Sequence, residues 1–147
     1  MQKENGTRNC ILTPETTKRM IRRMAFQVAE DNTDASVILL AGVVGNGVIL
    51  AEKLAAELAN ILSAEIRMVR IDINKKEPLN ASISSEQNFT DEVIIVVDDV
   101  SNTGKTLLYS LKPLMDYLPK KIQTLVLVER SHKLFAVQPD YVGLSVA

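Results

Sequence analysis

The sequence predicts an α/β fold in which helices cover both faces of a mainly parallel sheet. Short apolar runs that are typical of buried strands alternate along the chain with stretches whose apolar residues recur at helical spacing. The clearest of these runs is nearly continuous, as expected for a parallel strand that is buried on both faces. Strands that alternate with helices in this way pair in parallel, so the segments after the strands should meet at one edge.

Composition is consistent with one compact domain. The chain has 147 residues, so we expect residues 1–147 to form a single domain with a sizeable core. The formal net charge of -1 gives no global field that would mark a nucleic-acid or membrane binder. The single cysteine, Cys10, cannot form an internal disulfide, which fits a reducing compartment. With no membrane-length apolar run and no apolar signal-peptide core, we expect a cytoplasmic protein.

The first half of the chain begins with a polar stretch, residues 1–10, that we expect to be flexible. Thr13 and Pro14 then predict a helix start, because a hydroxyl at the N-cap followed by proline is a favoured arrangement. The elements predicted up to the middle of the chain are a helix that ends near residues 31–34, a strand at 36–41, a glycine-rich loop at 42–47, a helix at 48–62 and a strand at 65–73.

The second half contains one long segment without a clear period, residues 74–91. We expect this segment to be a mobile cover loop or a short hairpin. Pro113 should bend or break the helix in which it falls. The remaining predicted elements are a strand at 93–97, a helix with an apolar stripe from Leu107 to Leu118, a strand at 122–128 and a short last strand at 141–146.

The most informative stretch runs from residue 92 to residue 106. Asp98 and Asp99 follow a buried strand, and a loop rich in hydroxyls then opens a helix. Such a loop can direct successive backbone N–H groups toward an anion, and a helix N-terminus adds roughly half a positive charge. The spacing matches neither a Walker loop nor a dinucleotide fingerprint. The residues predicted to bind a phosphate group are Ser101, Asn102, Thr103, Gly104, Lys105 and Thr106.

The two carboxylates extend this chemistry beyond a phosphate. Asp98 and Asp99 can accept hydrogen bonds from vicinal hydroxyls, or hold a hard cation directly or through water. A phosphate pocket and a diol acceptor within a few residues indicate a 5-phosphoribosyl group. Adjacent aspartates also occur in ordinary solvated turns, but such a turn does not account for the whole stretch from residue 92 to residue 106.

Residues 93–106 resemble the phosphoribosyl-pyrophosphate (PRPP) binding motif of type I phosphoribosyltransferases. They read Val-Ile-Ile-Val-Val-Asp-Asp-Val-Ser-Asn-Thr-Gly-Lys-Thr. Within that group the chain resembles the pyrimidine-operon attenuation regulators, which are also uracil phosphoribosyltransferases. The supporting stretches are residues 11–30, 40–51, 127–133 and 140–143. The resemblance implies the type I fold, a homodimer, and transfer of ribosyl phosphate from PRPP to a nucleobase, with uracil or another pyrimidine as the expected acceptor.

The resemblance also implies roles for particular residues. Asp98 and Asp99 would be the catalytic pair that holds the ribose hydroxyls and Mg²⁺, and Glu129 would lie near a second magnesium ion. The base would lie against residues 134–142, and its nitrogen would displace pyrophosphate at the anomeric carbon. Positioning and charge stabilisation supply most of such a reaction. The pyrophosphate loop would comprise Gly42, Val43, Val44, Gly45, Asn46 and Gly47.

Two departures from that family favour a second reading. Relatives usually carry Lys-Thr-Arg where this chain has Val44-Gly45-Asn46, and their cover segment is longer. Lys75 and Lys76 are the candidates to supply the missing charge. The alternative is therefore a catalytically weak or inactive nucleotide sensor, or an RNA-binding regulator of pyrimidine genes. The residues that would contact RNA are Arg22, Arg23, Arg130, His132 and Lys133, although a solvated helix face is the favoured explanation for the first two.

Overall fold

The computed structural model describes residues 12–85 and 87–147. The expectation that residues 1–10 are flexible lies outside the described residues. The described helices are α1 (Pro14–Asp31), α2 (Asn46–Ile61) and α3 (Lys105–Ser110), and 3-10 turns occur at Pro78–Asn80 and Lys112–Asp116. The described strands are β1 (Val37–Val43), β2 (Glu65–Asp72), β3 (Ser82–Ile83), β4 (Val93–Ser101), β5 (Lys121–Arg130) and β6 (Tyr141–Val146).

These strands form one sheet with the order β3-β2-β1-β4-β5-β6. The strands from β2 to β6 in that order are all parallel to their neighbours, and β3 is antiparallel to β2 at the edge. The predicted α/β class and mainly parallel sheet are therefore confirmed. Because the parallel strands share one direction, the segments that follow β1, β4 and β5 lie at the same edge of the sheet.

Apolar side chains cover both faces of the sheet. On one face, α1 and α2 pack against alternate residues of β1 and β4, including Leu40 and Ile95. On the opposite face, Leu39 and Ile94 pack with Leu107 from α3. All of these strand residues are fully buried, and burying one such side chain stabilises the fold by about 1.5–3 kcal/mol. Burial on both faces explains the continuous apolar run in β4.

Helix α1 begins where the sequence predicts. The Thr13 hydroxyl accepts a hydrogen bond from the Thr16 N–H at 3.2 Å, and Pro14 is the first helical residue. The helix is also tied to the edge strand β6, because the Arg23 guanidinium donates to the Gly143 carbonyl at 2.6 Å. At the C-terminal end of α1, the Tyr141 hydroxyl donates a hydrogen bond to Asp31 at 2.8 Å. These polar contacts orient α1 relative to β6.

Several strands are longer than the apolar runs that predict them. Strand β1 includes Gly42 and Val43, β4 includes Asp98 and Asp99, and β5 continues to Arg130. Helix α2 begins at Asn46. The predicted loop at 42–47 is thus too long, and the acidic pair lies within β4, which continues to Ser101, and does not follow the strand. Pairing with neighbouring strands supplies the hydrogen bonds that continue these ladders into polar sequence.

Pro113 breaks the helix in which it falls, as predicted. Helix α3 ends at Ser110, and a 3-10 turn carries the proline. The predicted apolar stripe does not continue through this turn, because Met115 and Leu118 are 67% and 78% exposed. A 3-10 turn has about three residues per turn, so it rotates these side chains away from the face set by the α-helix.

The segment between β2 and β4 contacts the body of the protein at several points. Lys112 donates to the Leu79 carbonyl at 2.8 Å, and Phe89 is fully buried beside Tyr117 with 4.9 Å between ring centroids. The short strand β3 pairs with β2, in agreement with the hairpin alternative. That this segment moves as a cover stays a prediction. None of the helices in the described ranges is both long and apolar enough to cross a membrane.

Candidate active site

A cavity of about 390 Å³ lies at the carboxyl end of β4. All six residues from Ser101 to Thr106 that were predicted to bind phosphate line it; we call them the phosphate loop. Lys75, Asp99, Val100 and Leu107 complete its lining. The cavity therefore joins the predicted phosphate site, one of the two carboxylates and a lysine from the segment after β2.

The phosphate loop is supported from its far side by residues that follow β5. The Thr103 carbonyl accepts hydrogen bonds from the backbone N–H groups of Leu134 and Phe135, at 2.9 and 3.0 Å. Gly104 has a φ of 90°, which glycine adopts without strain. A Cβ atom at this position would lie 3.2 Å from the Val137 carbonyl oxygen. The loop is thus held in one conformation before any ligand contacts it.

Asp98 is the more buried carboxylate, with only 1% of its surface exposed. Its Oδ1 accepts the Asp99 backbone N–H at 2.8 Å, and its Oδ2 has no hydrogen-bond partner among the described residues. Burial, and then hydrogen bonding with Asp99, raises the pKa of Asp98 to about 7. The Lys75 ammonium, 3.7 Å from Oδ1, acts in the opposite direction. An unpartnered carboxylate oxygen is costly to bury, so a ligand or cation would stabilise it.

Asp99 has a different environment. Burial acts to raise its pKa, but hydrogen bonding with Asp98 and Asn46, together with the charge of Lys75, outweighs that effect and holds the pKa below its ordinary value. The Asn46 side-chain amide donates to Asp99 Oδ2 at 3.2 Å. The pKa values of the two adjacent carboxyls are therefore pushed apart, which is common in catalytic sites.

The second part of the site is the short connection from β1 to α2. We call Val44–Asn46 the diphosphate turn, because it contains the central residues of the predicted pyrophosphate loop. Gly45 has a φ of 93°, and the Val44 N–H donates to the Ile71 carbonyl at 2.9 Å. The first turn of α2 lies against β4, since a Cβ atom on Gly47 would be 2.6 Å from the Val97 carbonyl. This close approach brings Asn46 to Asp99.

Glu129 lies apart from the acidic pair in its contacts. It is the next-to-last residue of β5 and pairs in register with Ser101 of β4, and the Lys133 ammonium forms a salt bridge with it at 3.1 Å. Within the described parts of the chain, no group of three or more His, Cys, Asp or Glu residues could hold a metal ion. The role of Glu129 near a magnesium ion stays a prediction.

The five residues suggested for RNA contact do not share one environment. Arg23 donates to carbonyls of β6, and Lys133 pairs with Glu129. Arg22 and His132 are exposed, whereas Arg130 is partly buried beside an apolar cavity. An RNA role for this set stays a prediction, and the contacts of Arg23 and Lys133 give both residues a structural role as well.

Two contacts of the site were not predicted. The sequence indicated Asn46 as part of a loop, and its hydrogen bond to Asp99 depends on α2 packing against β4. It also named Lys75 and Lys76 together, whereas only Lys75 lines the cavity and pairs with Asp98. In the sequence, both lysines come shortly after the end of a predicted strand. That position could not show which of the two would line the cavity.

Comparison with known proteins agrees with this geometry. The sequence-family model for the phosphoribosyl transferase domain matches residues 10–147 of this chain. The chain belongs to the phosphoribosyltransferase family. It is thus a pentosyltransferase by family, and the resemblance that rests on residues 93–106 is confirmed.

Individual relatives are consistent with this assignment. The chain is 34% identical over 146 residues to the bifunctional protein PyrR of Alkaliphilus metalliredigens, covering 92% of this chain and 80% of that protein. PyrR of Latilactobacillus sakei is 30% identical over 148 residues, with 92% and 83% covered. These similarities agree with the narrower resemblance to pyrimidine regulators.

Solved structures show the same fold. A hypoxanthine-guanine phosphoribosyltransferase of Bacillus anthracis matches with a TM-score of 0.79 and 17% identity, covering 93% of this chain and 81% of the other. The hypoxanthine phosphoribosyltransferase of Trypanosoma cruzi matches with a TM-score of 0.77 and 18% identity, covering 90% and 78%. At these identities the likeness concerns the fold alone.

Proposed function

We propose that this protein transfers ribosyl 5-phosphate from PRPP to a pyrimidine base, with uracil as the first candidate. The observation that carries the proposal is the cavity that joins the phosphate loop to Asp99, the residue next to the buried Asp98, within one β4–α3 connection. Similarity to proteins named PyrR, over most of the chain, supports a pyrimidine as the acceptor. The homodimer implied by the same resemblance belongs to this proposal, and sedimentation equilibrium measures it.

The phosphate loop would bind the 5-phosphate group through backbone N–H groups and the hydroxyls of Thr103 and Thr106. Asp99, whose pKa is lowered, would accept hydrogen bonds from the ribose hydroxyls in its charged form. A base nitrogen would then form a bond to the anomeric carbon while the bond from that carbon to the diphosphate oxygen breaks. The electron pair leaves with the diphosphate, and the proton of the base nitrogen is released to solvent. The carboxylates of Asp98 and Asp99 would stabilise positive charge on the ribosyl group.

The residues present fit a magnesium ion. Asp98 and Asp99 offer hard oxygen ligands, and the buried Oδ2 of Asp98, which has no hydrogen-bond partner among the described residues, is free to bind a cation. Two carboxylates are sufficient, because Mg²⁺ keeps several waters and takes other ligands from substrate phosphates. When bound, the ion neutralises charge on the leaving diphosphate. The chain's own contribution is to position the sugar and to exclude water from Asp98.

A second candidate is a nucleotide sensor or RNA-binding regulator with little or no turnover. The observation that favours it is the diphosphate turn, whose residues Val44, Gly45 and Asn46 carry no cationic side chain. RNA contact through Arg22 or Arg130 would weaken steeply with salt and on substitution by alanine. Binding that is indifferent to both changes would count against the RNA-binding alternative.

One assay separates the two candidates. Purified protein is incubated with Mg²⁺, PRPP and each common base in turn, and released pyrophosphate is measured. We expect release with uracil and no release from the double variant Asp98→Asn, Asp99→Asn. Absence of release with every base contradicts the transferase. Calorimetry with PRPP and uridine monophosphate then tests the nucleotide-sensor alternative, which requires that the protein binds at least one of these two ligands.

A further inference from the structure

Lys75 connects the two sides of the candidate site. It follows shortly after the end of β2 at Asp72, and its Nζ lies 3.7 Å from Oδ1 of Asp98 on β4. The sheet order places β1 between these two strands. Neighbouring strands are about 4.8 Å apart, so β2 and β4 are separated by about 10 Å. The Lys75 side chain therefore reaches across the carboxyl end of β1.

The carboxyl end of β1 is where the diphosphate turn begins. One end of this turn is fixed to β2 by the bond from the Val44 N–H to the Ile71 carbonyl, and the other is fixed to β4 by the bond from Asn46 to Asp99. Like the diphosphate turn, Lys75 therefore links β2, which it follows in the chain, with β4, where its ammonium pairs with Asp98. Backbone N–H groups of the turn can bind phosphate oxygens, but they do not neutralise the charge of a diphosphate.

Among the described residues that line the cavity, the cationic side chains are Lys75 and Lys105. Lys105 is the first residue of α3 and belongs to the phosphate loop. Lys75 is thus the cation on the side of the diphosphate turn. Its side chain is 49% exposed, and its 3.7 Å distance from Asp98 is longer than a hydrogen bond. A flexible, loosely held ammonium can turn toward a phosphate group at small cost.

We infer that Lys75 binds the diphosphate of PRPP and supplies the positive charge that the diphosphate turn lacks. The inference rests on the proposed function of the site. The ammonium that pairs with Asp98 is drawn to the more highly charged diphosphate when PRPP binds. Lys75 then stabilises the negative charge that the leaving group gains as its bond to the anomeric carbon breaks.

The test compares two ligands and two variants by calorimetry. PRPP carries the sugar, the 5-phosphate and the diphosphate, whereas ribose 5-phosphate lacks the diphosphate. Lys75→Met should weaken PRPP binding by about 10- to 100-fold, because a charge-assisted contact is lost, and should change ribose 5-phosphate binding less than about twofold. Lys76→Met removes the same charge from the next residue, which is also exposed, and should affect neither ligand. Lys75→Arg should restore most of the PRPP affinity.

Each other outcome has a defined meaning. If Lys75→Met weakens both ligands equally, Lys75 acts only through Asp98 and the inference is overturned. Unchanged PRPP affinity in Lys75→Met overturns it as well, as does a wild-type protein that binds ribose 5-phosphate but not PRPP. A wild-type protein that binds neither ligand contradicts the proposed function itself. Thermal unfolding checks that the variants are folded, which we expect because Lys75 and Lys76 are exposed.

Discussion

The phosphate loop and the diphosphate turn are both strand-to-helix connections at the same edge of the sheet, yet they are built differently. Each contains a glycine with positive φ, 90° at Gly104 and 93° at Gly45. Gly104 lies under the backbone of residues 135–137, whereas a Cβ atom on Gly45 would meet no atom within 4 Å. The phosphate loop also receives two backbone hydrogen bonds at the Thr103 carbonyl, from a segment that follows another strand.

This difference would separate two tasks in the proposed site. Contacts from distant segments hold the phosphate loop, so binding a 5-phosphate there would order few additional groups, which favours affinity. The diphosphate turn is exposed, and the charge beside it comes from Lys75 on another segment. Substitutions in the two regions should therefore weaken the binding of different parts of the same ligand.

The largest effect is expected at the acidic pair, which lies between the two regions. The double variant Asp98→Asn, Asp99→Asn should lose more than about 100-fold in PRPP affinity, because both acceptors of charge-assisted hydrogen bonds are neutralised. Calorimetry in the presence of Mg²⁺ measures this loss, and circular dichroism verifies the fold. Affinity equal to that of the wild type would show that the pair does not contact the ligand.

The next effect is a pH dependence of the free energy of unfolding, which arises from Asp98. The pKa of Asp98 is raised from 3.8 to about 7 in the folded state. A raised acid pKa means that the folded state holds the proton more tightly. Protonation of Asp98 therefore adds to the free energy of unfolding. This contribution is complete below about pH 4 and is lost as pH rises through about 7, and its size is on the order of a few kcal/mol.

Urea unfolding at pH 5 and pH 8 measures this effect. The stability of the wild type relative to Asp98→Asn should fall between the two pH values. Asp99→Asn is the matched control, because the pKa of Asp99 is lowered and its contribution is already complete at pH 5. A difference between wild type and Asp98→Asn that does not change with pH would contradict the raised pKa.

A smaller effect compares the two glycines directly. Alanine at position 104 would adopt a left-handed conformation, which costs about 1–2 kcal/mol. Gly45, with φ 93° and ψ -131°, lies outside the left-handed helical region, so alanine is strained there as well. Gly104→Ala must also accommodate the Val137 carbonyl at 3.2 Å, so it should displace the phosphate loop and weaken ribose 5-phosphate binding by about tenfold. Gly45→Ala should leave ribose 5-phosphate affinity nearly unchanged. Equal losses from the two variants would remove the distinction between the two regions.

The smallest effect is expected at Asn46. Its amide donates one partly exposed hydrogen bond to Asp99, so Asn46→Ala should cost about 0.5–1 kcal/mol of PRPP binding, or two- to fivefold. The pKa of Asp99 should rise in this variant, which carboxyl chemical shifts measured by NMR as a function of pH would report. An unchanged pKa would indicate that the amide does not orient Asp99 in solution.

Local sequence was sufficient for the elements that depend on neighbours along the chain. Thr13 and Pro14 mark the start of α1, and Pro113 ends the helix after the phosphate loop, because capping and proline act within one or two turns. The phosphate loop was also recognisable, since its hydroxyls, glycine and preceding carboxylates lie within one short stretch. The ends of β1, β4 and β5 were placed too early, because the hydrogen bonds there come from partner strands distant in sequence.

By itself, the sequence determined the chemical groups available at this edge of the sheet: two carboxylates, a hydroxyl-rich loop, a bare glycine turn and two adjacent lysines. Only the tertiary structure decided which of these groups meet. Sheet order places β1 between β2 and β4, which brings Lys75 to Asp98 and leaves Lys76 outside the cavity. Burial raises the pKa of Asp98, whereas hydrogen bonds with Asp98 and Asn46, together with the charge of Lys75, outweigh burial at Asp99 and lower its pKa. Distance and solvent exposure set both effects, and each depends on how distant segments pack.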